Sequence, residues 1–327
     1  MNNFTILLLG IILVSDVTVA QESTSFIPGG KPFAKIYTNL NYKYSGGEGR
    51  PAFQIKRAYL GYSYKFSPNF SAKINIDVAD PGVGKLQMTA FVKNAYMHYE
   101  KNRFDFYFGM ILTTQFKVQE KFWGKRWIAK SFQDEYKLGP SADIGFSTAY
   151  ELCDFASADF WLVNGEGYKS IQSDGSLKTG LGLTLTPIQN LTARVYVDHM
   201  KDSSAQQTLA TFLGYQAKRF SLASEHNYQA NYNMEEGNDF YGWSFYTSID
   251  LFKSFKFFGR YDNLTSLTPD GRDLPWNLSK DGQLFMAGIE FSPVKGVKVA
   301  PGFHGWKPAD ANQDFVNGFY LNFEYNF

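Results

Sequence analysis

Residues 70–78 read Phe-Ser-Ala-Lys-Ile-Asn-Ile-Asp-Val, and in this stretch apolar and polar side chains alternate. Ile74 and Ile76 fall on one side of the alternation, whereas Lys73 and Asp77 fall on the other. A period of two is typical of a β-strand, because successive side chains of a strand point to opposite faces of the sheet. The stretch therefore predicts a strand with one apolar face and one polar face.

The same alternation recurs along most of the chain in segments that end at turn residues. Strands of soluble sandwiches usually have about five or six residues, whereas a tilted strand needs about ten residues to cross a bilayer. The segments have the greater length, so they predict membrane-spanning strands. Three of them, 91–100, 207–217 and 220–229, alternate poorly and leave counts of fourteen or eighteen open. The sixteen predicted strands are 33–44, 52–66, 69–79, 91–100, 103–113, 142–153, 156–163, 176–186, 190–199, 207–217, 220–229, 240–251, 255–262, 283–292, 296–304 and 315–327.

The connections between these segments alternate in length. Seven are short turns, whereas eight are longer, polar and rich in glycine, and both chain ends fall on the short-turn side. Outer-membrane barrels combine short periplasmic turns with longer external loops. We therefore predict one all-β domain, a transmembrane antiparallel β-barrel of about 16 strands. Its external loops are predicted near 45–51, 80–90, 114–141, 164–175, 200–206, 230–239, 263–282 and 305–314.

The N-terminal segment is predicted to be a secretory signal peptide. An apolar run from Ile6 to Val14 is followed by Thr18-Val19-Ala20, and small residues in these positions match the cleavage pattern. The residues before the apolar run include no Lys or Arg, which departs from that pattern. We place cleavage after Ala20, so that 1–20 is the signal peptide and 21–327 is the outer-membrane β-barrel.

The last predicted strand is aromatic on one face. Phe319, Phe323 and Phe327 lie on that face, and Asn322 and Glu324 lie on the other. An aromatic strand that ends in Phe resembles the signal by which outer-membrane barrels are recognised for insertion. We therefore predict that Phe327 is an assembly signal.

The composition argues against several classes of protein. Lys and Arg number 32 against 31 Asp and Glu, so no excess of one sign indicates a nucleic-acid partner. Cys153 is the single cysteine, and the four histidines fall on separate predicted strands without metal-ligand spacing. The run 82–85, Gly-Val-Gly-Lys, lacks the Ser or Thr that a nucleotide-binding loop needs for magnesium. We therefore predict no metal site and no cofactor.

A catalytic barrel is one alternative. It would need a histidine beside a nucleophile or an acid at the rim. His199 beside Asp198 and His226 beside Glu225 are candidates by sequence. Because neighbouring residues of a strand point to opposite faces, such pairs are expected to be separated by the barrel wall. We therefore predict no enzyme activity and no catalytic residues.

The longest connection, 114–141, is predicted to be the constriction loop of a channel. Long connections in a compact domain usually have a function, and this one carries six basic residues against three acidic ones, with several aromatics. Folded into the lumen, its cations would favour anions and its aromatic rings could stack on sugar rings. The alternative lays the loop over the rim, with its aromatics packed on the wall. The predicted constriction residues are Lys117, Lys121, Trp123, Lys125, Arg126, Trp127 and Lys130.

The polar faces of the strands carry both signs of charge, as expected of a water-filled lumen without strong selectivity. The predicted lumen-wall residues are Lys35, Arg57, Lys73, Asp77, Arg194, Asp198 and Arg260.

Several motifs resemble the phosphate-selective porin O and P family of outer-membrane porins. Residues 56–61, Lys-Arg-Ala-Tyr-Leu-Gly, followed by 67–70, Ser-Pro-Asn-Phe, resemble that family's second strand and its turn. Residues 108–110, Phe-Gly-Met, before 114–116, Thr-Gln-Phe, are similar to the family's entry into its third external loop. The family's Gln and Pro after Gly109 are absent, and its full ladder of lumen arginines and its lysine ring cannot be placed in this sequence. The resemblance implies a sixteen-stranded diffusion channel that assembles as a homotrimer.

These observations predict an outer-membrane porin, a passive diffusion channel for small hydrophilic solutes with a weak anion preference. Its expected partners are small hydrophilic or anionic solutes and outer-membrane lipid. The alternative is a β-barrel scaffold or docking subunit of an outer-membrane surface complex. An open lumen supports the channel, whereas a plugged lumen and stable co-purification support the scaffold.

Overall fold

The computed structural model shows a closed β-barrel. Each strand pairs antiparallel with its neighbour in sequence, and the last strand pairs with the first. The predicted all-β fold with sixteen strands is confirmed over the residues that the structure describes. The described residues are 26–80, 88–173, 175–252 and 254–327.

The predicted signal peptide, 1–20, and the run 82–85 lie outside the described residues. Within the described ranges, no helix has the length and the apolar character needed to cross a membrane. The strands are β1 (Gly29–Ser45), β2 (Glu48–Lys65), β3 (Phe70–Ala79), β4 (Thr89–Lys101), β5 (Phe104–Leu112), β6 (Ala142–Cys153), β7 (Ala156–Val163), β8 (Lys178–Leu185), β9 (Leu191–Lys201), β10 (Ala205–Gln216), β11 (Phe220–Ala230), β12 (Phe240–Phe252), β13 (Phe255–Ser266), β14 (Gly282–Val294), β15 (Val297–Pro308) and β16 (Val316–Asn326).

The side-chain alternation sorts the barrel into an apolar outside and a polar inside. On β3, Ile74 and Ile76 are exposed on the outer face, whereas Asn75 and Asp77 are buried inside. The exposed side chains on the other strands are also mainly large and apolar, including Leu181, and a bilayer is the solvent that such a surface fits. Closure leaves no unpaired strand edge, so the barrel satisfies its backbone hydrogen-bonding groups without water.

The strand pairing has register shifts at five places, and at two of them the extra residue is a lysine. The pairing of β1 with β2 skips Lys56, and the pairing of β3 with β4 skips Lys93. A bulge adds one residue to one strand and re-aims the side chains beside it. As a result, Lys56 and Arg57 both contact partners inside the barrel, and Lys93 and Asn94 are both buried there. The bulge at Lys93 explains why 91–100 alternates poorly in the sequence.

The connection expected at 45–51 is shorter than predicted. β1 and β2 pair as far as Ser45 and Glu48, which leaves only Gly46 and Gly47 between them. Their φ angles are 56° and 85°, and glycine adopts this left-handed region without steric cost. The strands therefore extend through what appeared in the sequence as a glycine-rich loop.

Most of the remaining connections at this end of the barrel are longer. The longest spans 113–141 and is called the long loop below. It contains two helices, α1 (Lys117–Trp123) and α2 (Phe132–Glu135). Two short 3-10 helices, Tyr232–Met234 and Leu278–Lys280, lie in other connections.

Placing a charge on the lipid-facing side should destabilise the barrel. Ile76→Arg puts a guanidinium on the outer face and should cost roughly 2–4 kcal/mol if the site lies near the bilayer midplane. Gln54→Arg, on the wall of a cavity inside the barrel, is the control and should be tolerated. Urea unfolding in lipid vesicles, followed by heat-modifiable gel mobility, measures both. Equal losses for the two variants would contradict the assignment of inside and outside.

The terminal Phe327 should act in assembly more than in stability. Its backbone N–H and C=O both bond to Ala34, and these bonds close the seam between β16 and β1. Its side chain is exposed, as is that of Phe319 on β16. Phe327→Ala keeps the backbone bonds and should lower the amount of barrel in the cell envelope, whereas Phe319→Ala should lower it less. Equal amounts by surface labelling would argue against an assembly signal.

Candidate functional site

The long loop lies inside the barrel. Phe122 packs on Phe212 of β10, with ring centroids 5.3 Å apart. The ring of Trp123 lies 5.5 Å from that of Tyr246 on β12 and 6.3 Å from that of Phe258 on β13. These wall residues point into the lumen, so the apolar side of α1 is buried against the inner wall. The loop therefore occupies the lumen and is not laid over the rim.

Polar side chains of the wall hold the loop from several directions. Lys56 Nζ donates to the backbone carbonyl of Ile128 at 2.6 Å, and Arg260 donates to the carbonyl of Lys130. Arg194 donates to the carbonyl of Thr114 at 2.7 Å. A loop inside a barrel has carbonyl groups that helices and strands do not satisfy, and these cations satisfy them. Further contacts join Lys178 to Gln115 and Tyr136 to Asp262.

Two of the predicted constriction cations are neutralised by partners. Lys125 is buried, donates to Ser248 Oγ at 2.7 Å and lies 3.6 Å from Glu290. Burial lowers the pKa of Lys125, and Glu290 opposes that shift. Arg126 pairs with Glu120 at 2.8 Å and also with Asp134. These two side chains fix the shape of the loop.

Asp134 forms ion pairs with two basic residues of the loop. Its carboxylate pairs with Arg126 and lies 3.9 Å from Lys130 Nζ. Burial acts to raise the pKa of Asp134, but Arg126 and Lys130 more than offset it and hold this pKa below its usual value. Asp134 therefore remains an anion at neutral pH and offsets part of the positive charge of the loop. Lys117 and Lys121, by contrast, are exposed.

The loop divides the lumen into two cavities. The inner cavity, about 760 Å³, reaches the turn that joins β14 to β15. The outer cavity, about 1610 Å³, lies on the other side of the loop and reaches the 3-10 helix at Leu278–Lys280. Tyr37 and Arg126 line both cavities. These two residues therefore lie between the two cavities.

Basic residues outnumber acidic ones on both cavity walls. Among the described residues, seven basic side chains and two acidic ones line the inner cavity, and six basic side chains and two acidic ones line the outer cavity. Those of the inner cavity are Lys35, Lys93, Lys117, Lys121, Arg126, Lys295 and Lys298, with Glu120 and Glu324. Those of the outer cavity are Lys43, Lys56, Arg57, Arg126, Lys130 and Lys280, with Asp80 and Glu135.

Most of the predicted lumen-wall residues form ion pairs with one another or with neighbours. Arg57 pairs with Asp77 at 2.6 Å. The remaining pairs are Arg194 with Asp159, Arg260 with Asp262 and Lys178 with Asp198, at 2.6, 2.7 and 2.8 Å. Lys35 lines the inner cavity, and Lys73 lies over the ring of Phe33 at 4.9 Å. The paired arginines support the loop and the wall.

Sequence reasoning missed Lys56 and Lys93 as lumen residues. Both are the extra residue of a bulge, so counting by twos places them on the wrong face. The only available signal was the broken alternation, most clearly in 91–100. Tyr37 and Tyr168 were also missed, because tyrosine is common on both faces of this barrel.

The histidines occupy separate places. Asp198 is buried inside and His199 is exposed outside, as expected for neighbours on a strand. His98, Glu100 and Asp105 bring candidate ligand atoms within 4.8 Å of one another across the β4–β5 hairpin, a grouping that sequence spacing did not reveal. His98 Nε2 is 2.7 Å from Asp105 Oδ1, and its ring stacks on Tyr107 at 4.1 Å. These contacts account for the histidine as a structural hydrogen-bonding group.

Comparison with known proteins shows the fold. No protein-family model and no curated protein matches the sequence. The structure is similar to Salmonella typhi OmpF in complex with daunomycin, with a TM-score of 0.71, 13% identity, and 91% of this chain and 97% of that chain covered. It is also similar to the outer membrane channel DcaP of Acinetobacter baumannii, with a TM-score of 0.66, 12% identity, and coverages of 92% and 97%. A refined porin structure gives a TM-score of 0.59 at 10% identity, with 91% and 100% covered. The chain therefore has the β-barrel fold of outer-membrane porins.

Breaking the ion pairs of Arg126 should disturb the loop. Arg126→Met leaves Glu120 and Asp134 without their shared cation, and removing one partner of a buried pair costs roughly 3–5 kcal/mol. We expect single-channel current to become noisy or to change level as the loop rearranges. Lys117→Met, at an exposed position of the same loop, is the control and should leave the current steady. Indistinguishable recordings for the two variants would show that Arg126 does not hold the loop.

Proposed function

We propose that this protein is an outer-membrane porin, a passive channel for small hydrophilic solutes with a weak anion preference. The observation that carries the proposal is the basic lining of both cavities, which share Arg126 as a lining residue. A solute that crosses the barrel passes from one basic cavity to the other. The porin fold, at low identity, supports the channel but carries no information about the sign of the preferred ion.

Ion pairs between lumen side chains limit the strength of the anion preference. Arg57 pairs with Asp77, Arg126 with Asp134 and Lys298 with Glu324. An ion pair acts on a distant solute as a dipole, so its two charges largely cancel. The remaining preference comes from the cations without such partners, which favours a modest selectivity over a strict anion filter.

A planar-bilayer recording tests the proposal directly. Purified protein should insert as open channels, and a potassium chloride gradient should give a reversal potential of the sign expected for chloride. A cation-selective reversal potential would overturn the anion preference. Inserted protein without conductance, together with stable co-purification of other surface proteins, would favour the scaffold alternative.

The exposed lysines of the long loop should contribute a salt-dependent part of the preference. Lys117→Glu with Lys121→Glu changes four charge units, which at about 8 Å in water are worth about 2 kcal/mol. Screening over a Debye length of about 8 Å reduces this to about 0.7 kcal/mol at physiological salt. Anions are disfavoured and cations are favoured by this same amount, so the anion-to-cation permeability ratio should fall roughly tenfold, and more at low salt. Lys117→Met with Lys121→Met is the matched control: it changes two charge units, so it should give about half the free-energy change and a roughly threefold fall in the ratio.

The double variant changes exposed lysines and leaves the buried cations of the loop in place. Replacing Lys125 or Arg126 by Glu would break the contacts that shape the loop, so a changed current would not report on charge alone. An unchanged reversal potential in the exposed double variant would show that α1 does not border the path of the ions.

The homotrimer and a selectivity for phosphate are predicted only from the family resemblance. A homotrimer is tested by the mass of the detergent-solubilised protein before and after heating. Selectivity for phosphate, as in the phosphate-selective porin O and P family, is tested by comparing phosphate with chloride permeability in the same bilayer. Equal permeability after correction for ion mobility would argue against membership in that family.

A further inference from the structure

The hairpin formed by β4 and β5 carries three residues of metal-binding type on its inner face. His98, Glu100 and Asp105 each offer one ligand atom, and these three atoms lie within 4.8 Å of one another. Met97 and Phe104, which precede His98 and Asp105 in the chain, are exposed on the outer face. Because side chains alternate along a strand, the three candidate ligands point into the lumen.

The three residues lie at the end of the barrel that carries the short turns. β4 ends at Lys101 and β5 begins at Phe104, so only Asn102 and Arg103 connect them. Short turns of outer-membrane barrels face the periplasm. Glu100 is exposed there, and the side chain of Asp105 is 42% exposed. Ions of the periplasm can therefore reach both carboxylates.

Strand pairing places the two carboxylates directly opposite each other. Glu100 is the register partner of Asp105, just as His98 is the partner of Tyr107. Like charges in directly opposite positions destabilise a sheet. His98 pairs with Asp105, but among the described residues no basic side chain lies within ion-pair distance of Glu100. A cation bound between the two carboxylates would remove their repulsion.

The ring of His98 is held with one nitrogen toward the carboxylates. Its Nε2 lies 2.7 Å from Asp105 Oδ1, whereas its Nδ1 lies 3.5 Å from Ser71 Oγ on β3. The ring also stacks on Tyr107, with centroids 4.1 Å apart. Histidines that bind metals commonly bond their second ring nitrogen to a neighbouring polar group. The contacts that give His98 its structural role therefore also orient Nε2 as a ligand.

The types of ligand favour a particular class of metal ion. One imidazole nitrogen with two carboxylate oxygens suits zinc and related first-row transition metals, whereas calcium takes about six to eight oxygen ligands. Ligand atoms at about 2.1 Å from a tetrahedral zinc ion are about 3.4 Å from one another. The 2.7 Å between Nε2 and Oδ1 is shorter than this, and the 4.8 Å limit of the group is longer. Small rotations of the exposed carboxylates would bring all three atoms onto one ion.

We propose that His98, Glu100 and Asp105 bind a divalent transition-metal ion of the zinc class at the periplasmic mouth of the barrel. The ion joins β4 to β5 and neutralises the two opposed carboxylates. Three protein ligands leave a further position for water. The site is independent of the proposed channel function, because its ligands lie outside the long loop and line neither cavity.

The direct test is calorimetric titration with zinc. Protein without an affinity tag, purified in detergent and treated with a chelator, should bind zinc in a one-to-one ratio. Magnesium and calcium should bind more weakly, because the site has too few oxygen ligands for them. The proposal is overturned if zinc does not bind, if it binds only at millimolar concentrations, or if calcium binds more tightly.

Single substitutions test which residues hold the ion. His98→Gln keeps a hydrogen-bond donor near Asp105 but removes the imidazole, and it should weaken zinc binding by about tenfold or more. His199→Gln, at an exposed position on β9, is its control and should bind zinc as the wild type does. Glu100→Gln should also weaken binding, whereas Glu151→Gln, an exposed carboxylate near the short-turn end of β6, should not. Full zinc affinity in both the His98 and the Glu100 variants would place the ion elsewhere and overturn the proposal.

Stability gives a second readout that does not depend on calorimetry. An ion that binds only the folded barrel stabilises it, so zinc should raise the urea midpoint of the wild type and of His199→Gln. The midpoint of His98→Gln should not respond to zinc. Heat-modifiable mobility confirms that each variant is folded. An equal rise for the two histidine variants would contradict the assignment of His98 as a ligand, whereas a barrel without conductance would leave it intact.

Discussion

Every backbone hydrogen-bonding group in a lipid-exposed sheet must find its partner within the protein, because hydrocarbon offers none. Pairing of β16 with β1 meets this demand, down to the two bonds between Phe327 and Ala34. Once the sheet is closed, the pleat sends half of the side chains into an enclosed space. The polar wall, the long loop and both cavities depend on that enclosure. The lumen is therefore a consequence of the seam.

The fold could be predicted from the sequence because lipid requires apolar side chains on one face of each strand, whereas the lumen accepts polar ones on the other. Residues 70–78 show it most clearly, since Ile74 and Ile76 face out whereas Asn75 and Asp77 face in. The strand count, the antiparallel order and the inward position of Arg57 follow from the same rule. Glycine was less informative: Gly46 and Gly47 suggested a long loop but form a tight hairpin. Local flexibility and loop length are different properties, and the sequence pattern does not separate them.

The candidate site could be predicted only in part. The longest connection, with its basic and aromatic residues, was recognised as a lumen loop, and the structure places it inside the barrel. Which of its cations are free could not be predicted, because Glu290, which neutralises Lys125, is 165 positions away in the chain and on β14. Lys93 was missed because a bulge breaks the period of two on which the prediction relied. The alternation of apolar and polar residues indicates neither ion pairs between distant residues nor β-bulges.

The bulges at Lys56 and Lys93 have a consequence for how such a barrel can change. Lys56 and Lys93 are each one residue more than the pairing of their strands requires. Loss of such a residue would let the flanking strand close up into regular register, with its lipid-facing side chains where they were. A single codon gained or lost at these places could therefore add or remove a lumen charge and leave the membrane-facing sequence as it is. The lining of this barrel can evolve by insertion and deletion, separately from the substitutions that its outer surface must accept.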